Sequence, residues 1–290
     1  MKKYIGIDIG GTSAKLGLIS SNGVVMQKGS FPTAGINSKD QFIQQLFNAI
    51  DSLQPLDAAG IGICTPGAVN SDTGIISDCV DNLPFLGQMN LKQILKVRYA
   101  LPVKLCNDAN AVALCEQWLG AGRDCDNFFC ITFGTGIGAA LVIRSRIYEG
   151  SHLRAGELCY VDYISNEVNL EKEISTKSVI AHAAKRLGLP TLDGIDFFNR
   201  LRSGDMVVAE EFAHWMDRIA RVVANVITVL DPDKIIIGGG ISSERDLLLP
   251  ALQGRVEKML PAEFGKDIVI DAARFSNDAG MLGAVSQLIG

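Results

Sequence analysis

The fold turns on residues 5–20, IGIDIGGTSAKLGLIS. Ile5, Ile7 and Ile9 alternate with Gly6 and Asp8, the period of a strand. Gly10, Gly11 and Thr12 read as a turn, and Leu16, Leu18 and Ile19 mark a returning strand. The turn carries two glycines and two hydroxyls, Thr12 and Ser13, with Asp8 before it and Lys15 after it. A glycine turn lets backbone N–H groups approach an anion with no Cβ in the way. This is no Walker A loop, whose lysine directly follows its second glycine, and no dinucleotide fingerprint, because no helix begins here. Two readings stay open for the hairpin alone: a phosphate turn, or a tight glycine-rich hairpin with no ligand.

Further along, CITFGTGIGAALVI (residues 130–143) repeats the design of strand, Gly/Thr turn and returning strand. A third stretch, KIIIGGGISS (residues 234–243), is a buried strand ending in Gly238, Gly239 and Gly240, with a helix expected after Ser243. Two similar hairpins suggest two related lobes, through duplication or through convergence on one kind of turn. Three strand-end glycine clusters in one chain suit a nucleotide held along its length. Asp8 fits such a site if a divalent cation separates it from phosphate, and Mg²⁺ prefers few carboxylates plus phosphate oxygens and water.

The chain between these stretches alternates strands and helices. Phe42, Leu46 and Ile50 fall on one face of a predicted helix. CNDANAVAL (residues 106–114) ends a strand and starts a helix, capped by Asp108 or Asn107 at the junction. Asp108 is either a helix N-cap or a base that takes a proton from an attacking hydroxyl, the one side-chain carboxylate that phosphoryl transfer asks for. Residues 171–190 read as one or two helices, residues 207–232 as a long amphipathic helix stopped by Pro232, and residues 279–290 as a terminal helix rich in small residues.

Composition narrows the classes. The 290 residues are 48% hydrophobic and 20% charged with net charge −5, ordinary for a soluble globular protein and against a basic nucleic-acid surface. No segment has the length of a membrane span, and the start lacks the apolar run of a signal peptide. Seven scattered cysteines, an odd number, read as free thiols in a reducing cytoplasm.

Taken in order, DIGGTSAK, CTPGAV, NLP, NDANA, TFGTGIGAALV, AGEL and IIIGGGIS make the chain resemble the ROK sugar kinases over nearly its whole length. The resemblance implies an α/β, two-lobed actin-like ATPase (ribonuclease H-like) fold with an interlobe cleft. The lobes expected are residues 1–118, with a C-terminal helix at about 277–290 packing back on them, and residues 119–276. It implies that Asp8, Gly10, Gly11, Thr12 and Lys15 form the first phosphate motif, and Thr132, Gly134, Thr135, Gly136 and Gly138 the second. Gly238, Gly239 and Gly240 match the adenosine-side glycines, and Asp8 would hold Mg²⁺ through water. Asp108 matches the catalytic base, Asn82 and Asn107 match sugar-hydroxyl ligands, and Glu157 matches a carboxylate that ties down sugar hydroxyls. ROK repressors add an N-terminal helix-turn-helix, whereas this chain starts directly at the first kinase strand. Family members are often dimers.

Two departures from the family pattern concern substrate recognition. Cys159 and Tyr160 stand where Gly and His are expected, and no cysteine follows Cys159, so the usual Cys/His zinc loop cannot be built and no zinc is expected. Glu171, better aligned than Glu173, takes the place of the loop's sugar-binding glutamate. Tyr160 either stacks on or hydrogen-bonds a sugar, or packs half-buried. The resemblance therefore implies an ATP- and Mg²⁺-dependent kinase acting on a primary hydroxyl, C6 of a hexose, an N-acylhexosamine or a β-glucoside. A non-catalytic sugar sensor on the same fold is the alternative. Acetate- or glycerol-type kinases fit less well, since they are longer and give GELCY no role.

Overall fold

The computed structural model describes residues 1–54, 57–76, 83–161, 169–265 and 267–289. Asn82 and Cys79 lie outside the described residues. The chain divides into two compact units. Unit 1 comprises residues 1–123, 149–155 and 277–290, and unit 2 comprises residues 124–148 and 156–276.

Unit 1 is built on a five-stranded sheet of β1 (Lys3–Ile9), β2 (Ser13–Ser20), β3 (Val25–Pro32), β4 (Ala58–Thr65) and β5 (Val103–Asn107), ordered β3-β2-β1-β4-β5. β1 pairs antiparallel with β2, and β4 and β5 continue the sheet in parallel. Because side chains alternate across a strand, Ile5, Ile7, Ile9, Ile61, Ile63 and Leu105 share one face. That face packs against Phe42, Leu46 and Ile50 of α1 (Lys39–Ser52) and Leu91 and Leu95 of α2 (Leu91–Tyr99). The opposite face is built differently. Gly17, Gly6 and Gly62 are register partners on β2, β1 and β4, and two residues along lies the row Lys15, Asp8, Cys64 and Cys106.

In unit 2, β6 (Phe128–Phe133), β7 (Ile137–Ile143), β8 (Arg146–Ile147), β9 (Lys234–Gly239) and β10 (Val269–Ala272) form a second five-stranded sheet. Its order, β8-β7-β6-β9-β10, repeats that of unit 1 strand for strand, with an antiparallel hairpin at its centre and parallel strands on one side. Helices α4 (Leu170–Ile174), α5 (Thr176–Leu187), α6 (Gly194–Arg202), α7 (Met206–Leu230), α8 (Arg245–Met259) and α9 (Ala262–Gly265) complete the unit, once α3 (Asp108–Leu119) has closed the first part of unit 1. The predicted stretch over 171–190 resolves into two helices, α4 and α5. α7 buries Phe212, Trp215, Met216, Ile219, Val223 and Ile227 on one stripe and ends at Asp231, the residue before Pro232.

Trp215 anchors this core. Its ring meets Phe133 and Phe212 edge-on, and its indole N–H donates to the Ile174 carbonyl at 2.8 Å. Trp215→Phe keeps most of the packing but leaves that buried carbonyl without its donor. A loss of about 1–3 kcal/mol in unfolding free energy is expected, read from urea melts, and a variant as stable as the parent would remove the hydrogen bond from the account.

The last helix, α10 (Ala279–Ser286), lies on the glycine face of unit 1. A methyl group on Gly6 would come within 2.7 Å of the Met281 carbonyl, and one on Gly62 within 2.3 Å of the Ala284 carbonyl. Gly283 faces α3, where a Cβ would lie 1.6 Å from the Ala111 carbonyl oxygen. The glycines set how closely backbone meets backbone on this face.

None of the six described cysteines is in a disulfide: Cys64, Cys106, Cys115 and Cys130 are buried, and Cys125 and Cys159 are partly exposed. Among the described residues, no helix is long and apolar enough to cross a membrane.

Candidate active site

In unit 1 the site begins at the β1–β2 turn. Gly10 donates its N–H to the Ser13 carbonyl at 3.0 Å, and its own carbonyl accepts from the Thr33 hydroxyl at 2.6 Å. The Thr12 carbonyl accepts from the N–H groups of Thr33 and Ala34. The strand-crossing hydrogen bonds therefore fix both shoulders of the turn. Gly11 and Thr12 are at its tip, Gly11 exposed and Thr12 exposed, and their N–H groups donate to no described residue.

Asp8 sits just below that tip. Strand register sets Lys15 on one side of it and Cys64 on the other, and directly paired residues share a face of the sheet. The Cys64 thiol donates to Asp8 Oδ1 at 3.5 Å. Gly280 closes over the other side, since a Cβ there would lie 2.7 Å from Asp8 Cγ and Oδ2. Burial raises the Asp8 carboxyl above its ordinary range, while the Cys64 hydrogen bond and the Lys15 charge oppose that rise. Burial also pushes the Cys64 thiol well up, helped by the Asp8 charge. Cys64 therefore stays a neutral donor. A single hard carboxylate beside a turn of open N–H groups matches what Mg²⁺ takes when phosphate oxygens and water supply its other ligands.

Across the same sheet, α3 starts where β5 ends. Asn107 is its N-cap: Oδ1 accepts from the N–H groups of Ala109 at 2.9 Å and Asn110 at 3.2 Å, and Nδ2 donates to the Gly67 carbonyl at 3.2 Å. The sequence left the cap between Asn107 and Asp108, and the structure gives it to Asn107. Asp108 is the first helical residue, partly exposed, with Oδ1 accepting from the Ala109 N–H at 2.9 Å. Its charge reaches Cys64 and Cys106, helping to hold both thiols protonated. In unit 1 the sheet thus brings together Lys15, Asp8, Cys64, Cys106 and Asp108.

Unit 2 repeats the turn at β6–β7. Gly134 donates to the Gly136 carbonyl at 3.0 Å, Thr132 Oγ1 donates to the Gly138 carbonyl at 3.2 Å, and the first turn of α5 is tied in by the Lys177 N–H donating to the Gly134 carbonyl at 3.2 Å. Thr135 is exposed at the tip. Gly239 ends β9 at φ +86°, where a Cβ would strike the Phe133 carbonyl at 2.1 Å. Gly238 lies beside Thr132, and Gly240 has open space around it.

The residues of unit 2 expected from the sequence to meet a sugar are Glu157, Tyr160 and Glu171. Glu171 Oε2 accepts from the Ile137 N–H at 3.2 Å and lies close against Gly136. Glu157 accepts from the Cys159 thiol at 3.5 Å. Tyr160 is 82% exposed, so its ring is not half-buried packing. Sequence reasoning missed Thr33, Cys64 and Gly280. Each meets the site through a residue distant in the chain, and only the sheet order brings them there.

Two units of one strand order, each opening on a glycine hairpin, make an actin-like ATPase fold. A model of the ROK family matches residues 4–289, and the chain belongs to that family. It is 31% identical over 296 residues to the β-glucoside kinase of Listeria monocytogenes, covering 99% of this chain and 97% of that protein. The glucokinase of Halalkalibacterium halodurans is 30% identical over 313 residues, covering 97% of this chain and 93% of that protein. Among solved structures, Lmo2764 of Listeria monocytogenes, a candidate N-acetylmannosamine kinase, matches with a TM-score of 0.86 and 30% identity over 98% of this chain and 97% of that one.

Proposed function

We infer that this protein is an ATP-dependent sugar kinase that transfers the γ-phosphoryl group to a primary hydroxyl, C6 of a hexose, an N-acylhexosamine or a β-glucoside. Relatives at 30–31% identity over nearly the full length carry sugar kinase activities in their names. The observation that carries the assignment of roles is the division of labour at the head of α3. Asn107 takes the capping duty, and Asp108 stands beside it on the first turn as the base.

In this reading the Asp108 carboxylate accepts the proton of the attacking hydroxyl as its oxygen bonds to the γ-phosphorus. The bond from that phosphorus to the bridging oxygen breaks, and ADP leaves. The open N–H groups of Gly11 and Thr12 would take phosphate oxygens, with Lys15 adding charge, and Gly134, Thr135 and Gly136 are proposed from the family motif as the second phosphate turn. Asp8 would hold Mg²⁺ through water, and the bound ion would neutralise charge on the phosphates. Gly238, Gly239 and Gly240 would line the adenosine end. Glu157, Glu171 and the remaining amide hydrogen of Asn107 would take sugar hydroxyls, and Tyr160 would offer an exposed ring to a substituent at C1 or C2. Asn82 is proposed as a sugar ligand from the family motif alone. No zinc is required.

The test is ADP release with MgATP across a panel of hexoses, N-acylhexosamines and β-glucosides. Turnover on at least one of these sugars is expected. Binding of a sugar with no ADP formed on any of them would replace the kinase by a sensor on the same fold.

A further inference from the structure

The proposed mechanism leaves Cys159 without a role, although it stands between two residues that have one. The segment before it is pinned. Gly156 adopts φ +89°, and a Cβ there would lie 2.3 Å from the Ala139 carbonyl of β7. Glu157 follows directly, and a short 3₁₀ turn, residues 158–160, brings Cys159 back toward it. The Cys159 thiol donates to Glu157 Oε2 at 3.5 Å. Burial, together with the charges of Glu157 and Glu171, pushes this thiol up to about 11. It therefore keeps its proton at neutral pH and meets the carboxylate as a donor.

Glu171 is treated in the same way. Its Oε2 accepts from the Ile137 N–H at 3.2 Å. In each carboxylate one oxygen is held by a donor of the protein, and the other, Oε1, takes no hydrogen bond from a described residue. Such a pair presents fixed acceptor oxygens to a ligand rich in hydroxyl donors, which describes a carbohydrate.

We propose that Cys159 is a positioning residue for sugar binding: its thiol holds Oε2 of Glu157 so that Oε1 is presented to a sugar hydroxyl. This rests on the sugar-kinase reading. An unheld carboxylate would rotate, and the sugar would have to order it on binding.

The test compares Cys159→Ala, which deletes the donor, with Cys159→Ser, which keeps one, and runs Glu157→Gln beside them. Sugar affinity is read twice, as sugar KM in turnover and as Kd by titration calorimetry without nucleotide. Cys159→Ala is expected to weaken sugar binding about three- to tenfold in both measurements. The loss should fall on the sugar and not on the KM for ATP, and Cys159→Ser should recover most of it. An unchanged sugar KM and Kd in Cys159→Ala overturns the proposal. So does a loss shared by sugar KM, ATP KM and kcat that serine does not rescue, since that is a packing defect. If the parent binds sugar but forms no ADP, the kinase reading falls while the Kd series still decides the role of Cys159. A parent that binds no sugar removes both.

Discussion

Asp108→Asn is expected to lower kcat on the best sugar by about a hundred- to ten-thousandfold, with sugar KM moving by no more than a few-fold. The substitution preserves shape and leaves an oxygen able to accept from the Ala109 N–H, which Asp108 does now at 2.9 Å. It leaves the head of α3 intact, because the N-cap belongs to Asn107. What it removes is the carboxylate proposed to accept the proton. Loss of turnover with sugar binding retained, in a protein that melts like the parent, is therefore a chemical result and not a folding one. A variant keeping a tenth or more of parental kcat would take the role of base away from Asp108.

The second large effect is on stability. Gly283→Ala would put a methyl carbon 1.6 Å from the Ala111 carbonyl oxygen, and neither partner is a flexible side chain. α10 would have to lift from α3, and in lifting it would leave the strand glycines Gly6 and Gly62. A cost of about 3 kcal/mol is expected for such overpacking. Gly254 on α8 is the control, because a Cβ added there would meet nothing within 4 Å. Gly254→Ala should be neutral or stabilise by up to about 1 kcal/mol, the helix preference for alanine. Urea melts followed by amide hydrogen exchange would place the Gly283→Ala loss in unit 1. If the two variants melt alike, close backbone packing is not what holds α10 in place.

Much of this was readable from the chain itself, where one local signal was strong. The β1–β2 hairpin shows in the alternation of Ile5, Ile7 and Ile9 and in its glycines, and α1 shows in the spacing of Phe42, Leu46 and Ile50. β3 offers no such signal, because VMQKGSFP at the sheet edge is polar and mostly not buried. The cap at α3 is ambiguous in sequence, since Asn and Asp both cap well, and only the geometry separates them. The partners of the candidate site were the least legible. Cys64 reaches Asp8 through strand pairing across 56 positions, and Glu171 reaches Ile137 across 34. Neither contact leaves a periodicity that could be read in advance.

The position of α10 also bears on how the protein is made. Ribosomes deliver a chain from its N-terminus, and units fold as they emerge. The strands of the first sheet appear before the helix that seats against their glycines, which is encoded only in residues 279–286. All of unit 2 is synthesised in the interval. The sheet that presents Asp8 thus waits for residues 279–286 before α10 can cover its glycine face. A product interrupted after unit 2 carries Asp8, Lys15 and the glycine turns but lacks Gly280 and the rest of α10, and so offers chaperones and proteases an open face by which to know it.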